Sequence, residues 1–317
     1  TRLAVGPAAQ NVKHRRNVMN IEIKKEQLFE ISELFMSLEG ESKWAGIPTA
    51  YMRMTRCNFK CNGFNNPNKE IDEKGYAKWE FKPEDYKSLQ DIPTITRGCD
   101  SRYSVDPQFS HMWRKYTTDE LIDAIEALLP NGKWNNNGTQ VIFSITGGEP
   151  LLFQRKISQL LRHPRMAECK HFLIETNASV PLRDSFVEDI NHWLSLDPQN
   201  HWTWSNSPKL SSSGETRKRA IRSDVLLAQQ RVNSNQMDMY LKFVCGPVES
   251  DFDEVQDVLD EYYSAGVQPI LTYIMPAAAT AEQLQESCTT VANMCIKKGF
   301  AYTHRLQNVL WGNGVGT

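Results

Sequence analysis

"QVIFSITGGEP", residues 140–150, is a short apolar run that ends in polar residues and passes at once into paired glycines. A strand buried on both faces of a parallel sheet reads this way where it leaves the sheet through a tight turn. "HFLIET" (171–176) has the same character. Working outward, "PTAYMRM" (48–54) alternates in the manner of a strand, and "MYLKFV" (239–244), "QPILTYI" (268–274) and "RLQNVLW" (305–311) continue the series. Helical patterns lie between them at 117–129, 250–264 and 280–298. "TTDELIDAIEALL" (117–129) opens with a capping box, Thr117 to Glu120, and sets Leu121, Ile125 and Leu128 on one face. Repeated β–α units argue for an α/β fold with a parallel sheet, open or curled into a barrel. No internal repeat is visible. The rhythm breaks once, over residues 62–98, which are rich in Asn, Lys, Pro and Asp and read as an insertion.

Bulk properties narrow the function classes. The chain has 317 residues, 40% hydrophobic and 23% charged, as a soluble globular enzyme does. A net charge of −2 gives no electrostatic case for binding nucleic acid. No run approaches the ~20 apolar residues of a membrane helix. Seven cysteines without a compact disulfide pattern point to a reduced, cytoplasmic protein. Residues 1–20 lack the apolar core of a secretory signal and read as a disordered leader before a single domain, 21–317.

The cysteines carry the chemistry. In "RCNFKCNGFNN" (56–66), Cys57 and Cys61 are separated by three residues, as two thiolate ligands of an iron–sulfur cluster often are. The next ligand of such a run would fall at Phe64. Directly after the insertion comes "GCDSRYS" (98–104), so with 62–98 excised the text reads Cys-x-x-x-Cys, then Cys-Asp-Ser-Arg-Tyr-Ser. Ligands need only converge in space, and a longer loop adds closure entropy slowly. The plainer reading treats Cys57 and Cys61 as half-buried thiols and Cys99 as incidental. Cys288 and Cys295 share a helical stripe with Leu284 and Val291 and belong to the core. Cys169 and Cys245 lack ligand spacing and read as structural.

This set of phrases resembles the 7-carboxy-7-deazaguanine synthases, a branch of the radical S-adenosylmethionine enzymes. Besides the cysteine loop, the resemblance is carried by "ISELFMSLEGESKWAGIPTAYMRM" (31–54), "TGGEP" (146–150), "ETNAS" (175–179), "SPKLS" (207–211), "LKFV" (241–244), "MP" (275–276) and "HRLQNVLWGN" (304–313). These fall in the family's order from about residue 29 onward. Glu39 stands where the family usually has Gln.

The resemblance implies a partial (β/α) barrel with the insertion in its cluster loop. It implies a [4Fe-4S] cluster on Cys57, Cys61 and Cys99, whose open iron takes S-adenosylmethionine. Gly147, Gly148, Glu149, Glu175, Ser207, Pro208 and Lys209 would contact that cofactor. A Mg2+ ion would sit at Ser101, where the family has Thr and the hydroxyl oxygen is kept. The implied substrate is 6-carboxy-5,6,7,8-tetrahydropterin, with the product 7-carboxy-7-deazaguanine serving queuosine or a modified DNA base. Arg53 would hold the substrate carboxylate. Leu38, Glu39, Gly40, Glu41 and Thr146, with the terminal carboxylate of Thr317, would grip the pterin. A homodimer and an external electron donor, flavodoxin-like or a chemical reductant, are also implied. Two alternatives stand beside this: a radical activase acting on a partner protein, and a non-catalytic binding module with a degenerate metal site.

Overall fold

The alternation in the sequence becomes one nine-stranded sheet. The computed structural model describes residues 28–312 and Gly316, so the expected leader and Thr317 lie outside the described residues. Strand β1 (Phe29–Leu38) pairs antiparallel with β2 (Pro48–Met54) and with the short β3 (Arg114–Tyr116). A separate hairpin joins β4 (Asn135–Asn136) to β5 (Thr139–Gln140). From β2 the main sheet runs on in parallel through β6 (Ile142–Gly147), β7 (His171–Thr176), β8 (His201–Asn206), β9 (Met237–Cys245), β10 (Leu271–Pro276) and β11 (Ala301–Tyr302). Each parallel strand is added beside its predecessor, so the sheet is singly wound. Right-handed crossovers then all fall on one face, and the opposite face curls into a partial barrel.

Helices α1 (Arg102–Val105), α2 (Thr118–Leu128), α3 (Gln154–Leu161) and α4 (Asp184–Leu196) precede β8. Helices α5 (Arg217–Ala220), α6 (Ser223–Gln229), α7 (Glu249–Ser264), α8 (Ala281–Lys298) and α9 (Leu306–Trp311) follow it. The capping box at Thr117 and Glu120 is formed, and Leu121 and Ile125 are buried as expected, joined by Ile122. Two sequence expectations need correction. "QPILTYI" enters the sheet only at Leu271, and "RLQNVLW" is helix, not strand. The amide of Leu306 donates to the distant Gly40 O at 2.9 Å and that of Asn308 to Arg305 O at 3.1 Å, a turn bond; a short apolar run reveals neither. The strand beside β10 is β11 instead.

Strand periodicity sorts the side chains. Met52, Met54, Phe143, Ile145, Phe172, Ile174, Trp202 and Trp204 face the helices and form the main apolar core with Leu121, Ile157 and Phe186. A second core lies where β9 and β10 meet α7 and α8, through Leu241, Phe243, Ile274, Val255, Val258 and Val291. The alternate residues, Tyr51, Arg53, Thr146, Glu175, Ser205 and Lys242, face inward and line a cavity. The 62–98 insertion touches the second core at Phe64 and otherwise builds a small cluster of its own. Leu89 and Ile95 pack there with Tyr103, Phe109 and Trp113. Among the described residues, no helix is long and apolar enough to cross a membrane.

Candidate active site

Beyond β2 the chain must turn sharply to present its cysteines. Arg56 and Cys61 adopt positive φ, 69° and 46°, a conformation that non-glycine residues enter only when their surroundings hold them. The adjacent turn after β6 does the holding. Gly148 N–H donates to Met54 O at 3.2 Å and Glu149 N–H to Arg56 O at 2.8 Å. A Cβ on Gly147 would lie 2.1 Å from Met54 O, and one on Gly148 would lie 1.9 Å from Arg56 O. The paired glycines therefore let the turn lie flat against the cysteine loop. Glu215 Oε1 accepts from the amides of Lys60 (2.8 Å) and Cys61 (3.1 Å).

The two ends of the insertion meet. Gly98 N–H donates to Phe64 O at 2.7 Å, and Asn65 Nδ2 donates to Thr96 O at 2.9 Å. Cys99 thereby returns to the cavity that Cys57 and Cys61 line. Phe64, standing where a third ligand would fall by spacing, packs with these cysteines against the second core.

The three thiols fit a cluster in their chemistry. Burial and neighbouring Glu149 push Cys57 up to about 12, and burial with Asp100 pushes Cys99 up to about 12. Burial and the nearby Cys99 raise Cys61 as well. Only cationic charge makes three such thiolates compatible with one buried wall, and irons bound to sulfide supply it. Phe59 N–H donates to Cys57 Sγ at 3.3 Å, an amide-to-sulfur contact of the kind that tunes clusters. Among the described residues, no three His, Cys, Asp or Glu side chains converge on a point that would hold a single metal ion. A four-iron cluster makes no such demand, because each thiolate takes a different iron.

The cavity is about 320 Å³, within the range of small-molecule sites. Cysteines, Gly147, Gly148, Ser207 and Lys209 form one end. Leu38, Glu39, Glu41 and Tyr51 form the other, beside the β1–β2 connection. Arg53 lies between, its Nε donating to Glu33 Oε2 at 2.7 Å and its Nη1 to Ser101 Oγ at 3.4 Å. Tyr103 fixes Glu33 in turn, at 2.8 Å. Thr146 donates to Glu175 Oε2 at 2.9 Å. The Glu41 carboxylate is paired with Lys242 and lies 3.5 Å from Arg305 Nε, which hold it ionised against its burial. Among the described residues Glu39 forms no such ion pair, and the pull of Lys242 on it is outweighed. Burial, Glu175 and Glu41 raise it to about 8. Its Oε1 accepts from the amides of Gly40 (3.1 Å) and Glu41 (3.2 Å), and its Oε2 accepts from Tyr51 at 3.0 Å.

The sequence expectations divide accordingly. The cavity gathers Cys57, Cys61, Cys99, Ser101, Leu38, Glu39, Glu41, Arg53, Thr146, Gly147, Gly148, Glu175, Ser207 and Lys209. Gly40 and Pro208 are not in its wall, and Gly40 packs against Gln307. Glu149 also lies behind the wall. Its fully buried carboxylate accepts from the amides of Leu151 and Asn177 and from Thr176 Oγ1, at 2.8 to 2.9 Å, and so joins the β6 turn to the end of β7. Three of the carboxylate's acceptor positions are taken in this way. Lys242, Arg305, Tyr51 and Asp100 were not anticipated. "LKFV" and "HRLQNVLWGN" contained the first two, but an isolated cation in an apolar run does not disclose its partner.

With the geometry established, comparison with known proteins can be reported. No family model matches the chain. The 7-carboxy-7-deazaguanine synthase of Halobacterium salinarum is 26% identical over 90% of this chain and 92% of its own length. That of Rhodopirellula baltica is 24% identical over 90% and 88%. The crystal structure of QueE from Escherichia coli superposes with a TM-score of 0.50 at 17% identity, covering 88% of this chain and 94% of that one. That likeness establishes the fold, an α/β partial barrel with a mainly parallel sheet.

Proposed function

Taking the chain as a distant homologue of the 7-carboxy-7-deazaguanine synthases over about 90% of its length, we propose that it is a radical S-adenosylmethionine lyase of that specificity. It would contract 6-carboxy-5,6,7,8-tetrahydropterin to 7-carboxy-7-deazaguanine with loss of ammonia. The observation that carries this reading is the single cavity lined at one end by Cys57, Cys61 and Cys99 and at the other by a polar cradle for a small ring.

A four-iron cluster on those cysteines, with S-adenosylmethionine on its open iron and an external one-electron donor, supplies radical hydrogen abstraction. The chain's own residues position the reactants. Arg53, braced by Glu33 and Tyr103, offers a planar fork to the substrate carboxylate. Glu175, its orientation fixed by Thr146, offers a carboxylate acceptor to the cofactor. Lys242 and Arg305 keep Glu41 ionised as an acceptor. Lys209, whose Nζ donates to Ser207 O and Oγ at 3.0 Å, sets positive charge beside the cysteines. Ser101, next to the Asp100 carboxylate, would offer a hydroxyl oxygen to Mg2+. The buried walls keep water from the reactive carbon.

The test is turnover. Reconstituted, reduced protein with S-adenosylmethionine, Mg2+ and the tetrahydropterin should form the deazaguanine, identified by mass, without a second protein. Arg53→Ala should raise KM for the pterin while sparing cofactor cleavage. Cofactor cleavage with no deazaguanine, at saturating pterin, would overturn the assignment.

A further inference from the structure

We propose that the 62–98 insertion is a clamp that sets the position of the third cysteine, with Arg102 as its pin. Taking Cys57, Cys61 and Cys99 as cluster ligands, this inference rests on the preceding reading and gives the insertion a task within it.

A long excursion between two ligands adds freedom to the second, because each added residue widens the set of places it can occupy. The structure removes that freedom through one side chain. Arg102 lies three positions after Cys99 and is only 4% exposed. Its guanidinium sits between two rings of the insertion, 4.5 Å from the centroid of Tyr76 and 4.0 Å from that of Trp79. The same group donates to Asp72 Oδ2 of the insertion at 2.6 Å, to Asp106 Oδ2 at 2.8 and 3.0 Å, and to Ala77 O. A planar, permanently charged fork satisfies stacking and several acceptors at once, which an ammonium does not. Asp106 is itself fully buried and pairs with Arg102 inside the protein.

A second contact lies on the other side of the cysteine. Gly98, which immediately precedes Cys99, has a positive φ of 76°, and a Cβ there would lie 2.7 Å from the Cβ of Ala77. The chain on both flanks of Cys99 is therefore tied to Ala77, through the Gly98 backbone on one side and the Arg102 side chain on the other. An insertion that merely covered the surface would keep its polar interior to itself. Here the buried cation in its middle belongs to the cysteine phrase, and the aromatic walls belong to the insertion. Arg102 acts through Cys99 and Ser101 and is a positioning residue.

The experiment uses the full chain. In metal-free protein, alkylation by iodoacetamide is followed separately at Cys57, Cys61 and Cys99 by peptide mass. Iron and sulfide are measured after reconstitution. Arg102→Ala and the half-exposed Trp79→Ala should each speed alkylation of Cys99 about tenfold, leave Cys57 and Cys61 unchanged, and lower iron and sulfide below the wild-type content. Trp79→Phe keeps a ring over the guanidinium and should restore both readings. Should Arg102→Ala fail to fold, the two Trp79 variants decide the matter. Unchanged Cys99 alkylation and full iron in Trp79→Ala would overturn the clamp. Equal acceleration at all three cysteines would also overturn it, since that reports general loosening. A wild-type protein that takes up no iron and sulfide would instead sink the proposed function, and the alkylation pattern would still decide the clamp.

Discussion

Glu39 carries a carboxyl group into the most enclosed part of the cavity, 3% exposed and close to two other carboxylates. Burial with Glu175 and Glu41 raises it from the usual carboxylate range to about 8. The folded state therefore keeps a proton that the unfolded chain releases at lower pH. Stability from protonated Glu39 is complete below the unfolded pKa and is lost as pH rises through about 8. Gln reproduces the protonated form, with its carbonyl toward the Gly40 and Glu41 amides and its NH2 toward Tyr51. Glu39→Gln should thus match the parent near pH 4.5 and become relatively more stable with rising pH, levelling above 8 at a few kcal/mol, roughly. Urea unfolding at pH 5, 7 and 9 measures this, and a difference independent of pH would refute it. Residue types in fixed phrases were readable from sequence: the cysteines, Arg53, Ser207 and Lys209 all reach the cavity. What Glu149 does was not readable. It accepts from an amide of its own turn and from Thr176 and Asn177 at the end of β7, a partnership set only by the fold.

The β1–β2 connection is the element that closes the cavity away from the cysteines. After Glu41 it forms a single turn, Ser42–Trp44. Trp44 meets the rings of His171 and His201 edge-on, with centroids 4.6 and 5.6 Å apart, at the starts of β7 and β8. Lys43 pairs with Asp238 at 2.6 Å, and Asp238 also bonds His201 at 2.8 Å. Burial and His201 lower His171 to about 3, so this floor stays uncharged at that ring near neutrality. Removing the indole should free the Leu38–Glu41 segment it anchors. Trp44→Ala should raise KM for the pterin about tenfold with cofactor cleavage in its absence unchanged, and Trp44→Phe should recover most of the loss. Equal falls in both activities would show a general defect instead. This element was only half legible. β1 is absent from the sequence reading because its last residues, up to Leu38, pass straight into the Glu39–Glu41 phrase that drew attention as a loop. "HWTWSN" is likewise absent from the sequence reading, because two tryptophans among four polar residues make no apolar run, although both rings lie in the core. "RLQNVLW" erred the other way, since six or seven apolar-rich residues fit either period.

At the scale of the whole molecule, the sheet has a protected middle and two exposed margins. β6, β7 and β8 are hydrogen-bonded on both sides and covered by the main apolar core, whereas β11 has a single neighbour and two residues. Native-state hydrogen exchange should find the slowest amides in β6–β8 and much faster ones in β11 and in the 62–98 segment. Uniform protection across the sheet would contradict this graded stability. The parallel architecture was legible because β2, β6, β7, β9 and β10 each coincide with a short strand-like run in the sequence, while its single winding was not, since strand order is a property of crossovers. That winding has a consequence for synthesis on the ribosome. Strands emerge in the order in which they dock, so each newly translated segment finds a finished neighbour waiting and need not wait for one still unmade. Arg305 and Gln307 come after every strand of the sheet, yet they are the residues that meet Glu41 and Gly40. A nascent chain can therefore hold most of its scaffold while its pocket is still open at one side. The wall beside Glu41 is thus completed only after the whole sheet has been made, a closure that follows the scaffold instead of accompanying it.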